Sequence, residues 1–120
     1  MARLNGFNSL FSSKVITSFL PGVNSDTVYT VPNNFEAEIT LIMISNAGPL
    51  SNINLQIYNK DINEYAFLYR VKSVPANSTE NVLRASILYL NEGDKILAHK
   101  DGGTFDVSVS GRHVYNPLRS

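Results

Sequence analysis

The residues able to do chemistry are sparse. There are two histidines, scattered carboxylates and six tyrosines, and there is no cysteine, so disulfides, thiolate metal sites and cysteine nucleophiles are excluded. A zinc site needs three or four converging ligands. His99 with Asp101, or His113 across a strand pair, supplies only part of one, so both histidines read as polar residues at strand ends. Serine, histidine and aspartate all occur, but no G-x-S-x-G elbow presents a serine as a nucleophile. Glu36 and Glu38 stand two apart on one face of a strand, whereas glycosidic acid–base chemistry sets its carboxylates across a cleft. Gly48-Pro49 and Gly102-Gly103 are turn residues outside any phosphate-cradling pattern. Asn77-Ser78-Thr79 matches a glycosylation sequon, and without a signal peptide the match reads as chance. The expectation is no catalytic set, no metal site and no cofactor, and hence no enzyme.

The tyrosines offer binding instead. Tyr58, Tyr65 and Tyr69 cluster around one turn with Asn59 and Asn63, a grouping able to stack on a sugar ring and hydrogen-bond its hydroxyls. The same residues suit cross-strand aromatic packing, which is the favoured reading. Basic residues are scattered, with no aromatic-interleaved basic stripe, so no nucleic-acid partner is expected.

The elements that must position these residues read as strands. Residues 14–20 are β-branched and aromatic and stop at Pro21-Gly22; residues 27–31 end at Pro32. The longest run is 35–45. Its Glu36, Glu38 and Thr40 are expected on a polar face, with Phe35, Ala37, Ile39, Leu41 and Met43 opposite. From Leu41 to Ile44 the run is apolar throughout and should be covered on both faces. Further strands are expected over 53–58, 65–72, 81–90, 95–99 and 105–110, the last extended through 112–115. Asp101-Gly102-Gly103 is the strongest hairpin signal. About eight short strands at this spacing predict an all-β fold, a single antiparallel β-sandwich or jelly roll. Residues 1–13 show no clean period and read as an arm carrying Leu4, Phe7, Leu10 and Phe11, with the sandwich over 14–120.

At 120 residues the chain fits one domain. Hydrophobic residues make up 43% and charged residues 17%, so the polar surface rests largely on 14 Asn and 13 Ser. Net charge is zero, which removes bulk attraction to nucleic acid or an anionic membrane and leaves little repulsion between copies. No apolar stretch reaches the ~20 residues of a membrane span, and residues 1–13 lack a signal-peptide core, so a chain made in a cytosol is expected.

The segments TVYTVPNNFEAEITLIMISN (27–46), SVPANSTENVLRASILYLNEGDKI (73–96) and TFDVSVSG (104–111) together resemble small β-sandwich structural proteins of tailed bacteriophage particles. The likeness spans 27–111, and its motifs are mostly turn chemistry. The 90–96 stretch also resembles the late hairpin of trimeric jelly rolls related to tumour necrosis factor and complement C1q, although the rest of the chain lacks their aromatic pattern. The phage resemblance implies a virion building block made in the host cytoplasm: a capsid decoration (cement) protein, or a neck or tail component. Its partners would be further copies of itself and other virion proteins, the major capsid protein or tail and neck subunits. The expected assembly contacts are Leu4, Phe7, Leu10 and Phe11 of the arm, Ile42 and Ile44 of the long strand, and Arg112 and Tyr115 near the C-terminus. The alternative is a carbohydrate-binding module for host attachment, contacting glycan through Tyr58, Tyr65 and Tyr69.

Overall fold

The computed structural model describes residues 7–84 and 86–115. Nine strands form two antiparallel sheets: β1 (Phe7–Ile16), β2 (Asp26–Thr30), β3 (Phe35–Asn46), β4 (Ser51–Asn59), β5 (Glu64–Val74), β6 (Ser78–Asn81), β7 (Leu88–Leu90), β8 (Lys95–Lys100) and β9 (Phe105–Tyr115). The described residues include one 3-10 turn, Gly22–Asn24, and no α-helix. The first sheet runs β1-β9-β3, with β6 and β7 sharing the far side of β3; the second runs β2-β8-β4-β5. Among the described residues five of the seven strand pairings are nested, and the β3–β9 and β4–β8 ladders tie them into the two sheets. The central β4–β5 pair is enclosed by β3 with β6 and β7, then by β2 with β8, then by β1 with β9. The chain is an all-β sandwich, as its turn spacing predicts.

The core lies between the sheets, where each strand contributes alternate residues. In β9, Phe105, Val107 and Val109 are fully buried while Asp106 faces out. Ile53 and Leu55 of β4 and Ile96 and Ala98 of β8 meet them from the other sheet.

Three expectations need correction. First, the parity of the long strand changes midway. Ala37 and Ile39 are buried, but the β3–β9 register shifts between Ile39 and Leu41, leaving Thr40 as an extra residue. Such a bulge moves every later side chain to the opposite face. Ile42, Ile44 and Asn46 therefore point into the core, and Leu41 and Met43 turn outward and are half-buried. The partner at this bulge is Gly111, where a Cβ would collide with the carbonyl oxygen of Glu38. Second, the arm expected over 1–13 is, from Phe7 on, part of the sandwich. β1 pairs with β9 from Phe7↔Val114 to Ile16↔Phe105 and buries Leu10 and Ile16. Third, of the described residues in the strand expected over 81–90, only Asn81, the end of β6, and Leu88–Leu90, which form β7, are strand. Asn81 Oδ1 accepts the N–H groups of Leu83 and Arg84 and closes a turn between them. Val82 and Leu83 still reach the core from that turn, which is why the segment looks continuously apolar.

Candidate functional site

The tyrosine cluster is only partly assembled. Tyr58 and Tyr65 face each other across β4 and β5 with ring centroids 4.9 Å apart, on the outer face of the second sheet. Tyr69 faces the other way. It pairs with Leu55 and packs against the core. The reason is a second irregularity: the register passes from Leu55↔Tyr69 to Gln56↔Phe67, so Leu68 is an extra residue that reverses the parity of β5.

Tyr58 also lines a cavity of about 490 Å³ at one end of this sheet. Three elements build it: the end of β2 with the following loop (Thr30, Pro32, Asn33), the end of β4 with the turn that follows (Tyr58, Lys60), and the turn into β8 (Gly93, Lys95). Their alignment follows from the β4–β8 and β2–β8 ladders, which set Tyr58 opposite Lys95 and Lys95 opposite Thr30. The turn is fixed by backbone bonds, Gly93 N–H to Val31 O and Val31 N–H to Asp94 O, both 3.0 Å. Gly93 has φ +84°, a conformation that favours glycine, and a Cβ there would also collide with Cδ of Lys60. The missing side chain thus lets the Lys60 stem cross the turn.

The charged side chains that line the cavity are Lys60 and Lys95. Lys95 Nζ stands 5.7 Å from the Tyr58 ring centroid. The neighbouring carboxylates are engaged with the backbone: buried Asp94 accepts the N–H groups of Lys60 and Asn91, and Glu92 accepts that of Asn34. Neither lysine takes part in the two ion pairs formed among the described residues, Lys72–Glu80 and Arg112–Glu38. The cavity offers an aromatic wall, two ammonium groups, a hydroxyl and an amide, a set suited to holding an anion or a polyhydroxylated ring.

Apolar side chains mark a different kind of surface. The loop between β1 and β2 folds against the second sheet. Gly22 N–H bonds to Gln56 Oε1 at 2.9 Å, and Lys100 N–H to Ser18 O at 3.0 Å. The Asp26 carboxylate fixes its start by accepting from Thr17 and Ser18 N–H. Burial alone would raise the Asp26 pKa, but these N–H groups, the Thr17 hydroxyl and the Lys14 charge outweigh it and hold it below the ordinary value. The loop leaves Phe19, Leu20 and Val23 exposed, and Phe67 and Tyr65 of β5 are exposed on the same sheet. On the outer face of the first sheet, Phe11, Val15 and Tyr89 are exposed, with Ser108 and Ser110 of β9 and half-buried Leu41 and Met43 of β3 beside them.

No family model matches this chain, and no curated protein matches it.

The expected assembly residues divide. Phe11 is 73% exposed, and Tyr115 is half-exposed with its ring against Phe35. Arg112 is also exposed and donates to Glu38 at 2.9 Å across the β9–β3 pair. Ile42 and Ile44 are fully buried and Leu10 nearly so, within the chain's own core, so these three cannot contact a neighbour. Leu4 lies outside the described residues; Phe7 opens β1. Glu36 and Glu38 lie on the outer face of the first sheet, Glu38 in the ion pair with Arg112. The described residues contain no group of three or more side chains placed to hold a metal ion, and no helix long and apolar enough to cross a membrane.

The two histidines lie on different sheets. His99, on the outer face of β8, is buried; its Nδ1 has no hydrogen-bond partner among the described residues, and Phe67 packs at 6.4 Å. His113 Nε2 shares a hydrogen bond with the Tyr29 hydroxyl. Burial pushes the Tyr29 phenol up and both imidazoles down, which favours the neutral form of all three. Lys60, Lys95, Thr30 and Asn33 escaped the sequence reading. Each sits beside a turn signal, but only the ladders bring them together.

Proposed function

We propose that this chain is a non-enzymatic structural subunit of a tailed-bacteriophage virion, a capsid decoration (cement) protein that stabilises the particle through contacts with its own copies and with the major capsid protein. The observation that carries this reading is that both outer faces of the sandwich expose large apolar side chains: Phe11, Val15 and Tyr89 on one, Phe19, Val23 and Phe67 on the other. Large apolar side chains exposed on a sheet face are the groups that protein–protein contacts cover. Different patches on opposite faces suit head-to-tail contacts, which close into rings or extend over a lattice. Zero net charge removes the repulsion that would oppose such packing. The nested pairing of β1 with β9, β2 with β8 and β4 with β5 supports reading the sandwich as a jelly roll, an architecture common in capsids. The resemblance over 27–111 agrees.

Phe11→Ser and Phe67→Ser change one face each and leave the core untouched. Both variants should keep the wild-type circular dichroism and urea midpoint, while light scattering shows a smaller oligomer and particles take up less protein. Wild-type protein that stays monomeric, together with variants that enter particles normally, would sink the proposal. Cryo-electron microscopy of labelled particles separates a capsid position from one in the neck or tail.

A further inference from the structure

The cavity bounded by β2, β4 and β8 lies apart from the apolar patches, and its chemistry is different. We propose that it binds an acidic saccharide: a sugar ring carrying an anionic group, with that group between Lys60 and Lys95 and the ring packed against Tyr58.

Four observations converge. The volume, about 490 Å³, falls in the range of small-ligand sites. Two lysines from different elements meet on one wall, and the nearby carboxylates of Asp94 and Glu92 are turned to backbone N–H groups. A bound anion therefore meets the ammonium groups without displacing an ion pair formed among the described residues. Tyr58 is held from two sides. Its hydroxyl donates to Asn63 at 2.6 Å, and Tyr65 packs at 4.9 Å. A ring fixed in this way offers apolar contact to sugar C–H groups at little entropic cost. Thr30 and Asn33 add a hydroxyl and an amide, the polar groups that suit sugar hydroxyls.

Charge selects among ligands. A neutral sugar gains only the ring and the hydrogen bonds, whereas an acidic one also gains charge-assisted bonds, the stronger kind. A bare anion gains the lysines but leaves the aromatic wall unused. The inference is independent of the assembly reading, because the apolar patches of that reading do not line this cavity.

The test is a titration of the full chain followed by two-dimensional amide NMR. The probes are trigalacturonic acid, galactose 6-sulfate, the neutral galactose trisaccharide, and sodium acetate and sulfate at matched concentration. A carboxylate or a sulfated sugar, or both, should shift the amides of Thr30, Asn33 and Gly93, and which of them does so identifies the anionic group. The neutral trisaccharide and the simple salts should shift them much less. Lys60→Gln and Lys95→Gln should each weaken binding about tenfold while the other amides keep their positions. Equal response to neutral and acidic sugars, identical shifts from the simple salts, affinity unchanged in both lysine variants, or no binding at all would each overturn the proposal. Particle incorporation is scored separately, so a failed titration leaves the assembly reading standing.

Discussion

Asn46 shows how one polar residue can organise an end of the molecule. Its side-chain amide donates to Pro49 O and Val74 O and accepts from Gly48 N–H and Thr104 N–H. One buried side chain thus joins the β3–β4 loop, the end of β5 and the β8–β9 hairpin. His99 is its opposite, buried with no partner for Nδ1 among the described residues, and His113 shares a hydrogen bond with the Tyr29 hydroxyl. Both pKa values lie below the ordinary 6.5 because burial disfavours the charged ring. The unfolded chain therefore binds more protons than the folded one across this window. Stability should be full above about pH 6.5 and fall as pH drops through it towards the lower folded values. The urea midpoint should decrease from about pH 7.5 to about pH 5, and His99→Gln should flatten part of the fall. A midpoint that is level or rises on acidification in this range would contradict the assignment of neutral, buried rings.

Among the elements, the strands with register shifts decide which residues are available for function. In β3 the extra residue at Thr40 carries Ile42 and Ile44 from the surface into the core. In β5 two irregularities lie close together, one at Leu68 and one opposite Asn54, where Val71 adopts φ +54° and gives its N–H to Asn54 Oδ1. A β-branched residue in that conformation is strained. Bulges of this kind twist an edge strand away from further strand pairing, so contacts at β5 fall to side chains such as Phe67. Gly111 is the test of the β3 bulge, since a methyl group there meets the carbonyl of Glu38. Gly111→Ala should cost ~1–3 kcal/mol, read as a lower urea midpoint. An unchanged midpoint would mean that the two strands separate freely at this point.

At the scale of the whole molecule, nesting makes the chain's ends interdependent. β1 is the edge of the first sheet, yet it pairs with β9 along its whole length, and Ser12 Oγ donates to Val28 O of β2 at 2.6 Å. Removing residues 1–13 takes away most of β1, including buried Leu10, and exposes β9. The truncated chain should lose its cooperative urea transition rather than remain a folded domain that fails to assemble. Retention of the wild-type midpoint would restore the reading of this segment as a detachable arm. The β4–β8 ladder, which crosses the nested pairs, builds the lysine cavity, because Lys60 and Lys95 are far apart in sequence and meet only when β4 and β8 pair.

The sequence by itself determined the fold class, the positions of most strands and the absence of cysteine chemistry. Alternation and turn residues are local signals, and in β9 the sequence Phe105-Asp106-Val107-Ser108-Val109 shows them without interruption. Where alternation broke, at 41–44, the apolar run was visible, but the bulge that explains it was not. An extra residue exists only relative to a partner strand, here the stretch around Gly111. The same holds for β1, whose sparse pattern takes meaning only from its ladder with β9, and for Tyr69, which neighbours Tyr65 in sequence but faces the core. Tertiary structure decided which apolar residues remain outside and which cations share a wall, because both depend on pairings between residues distant in the chain. Local propensity carries no information about that register.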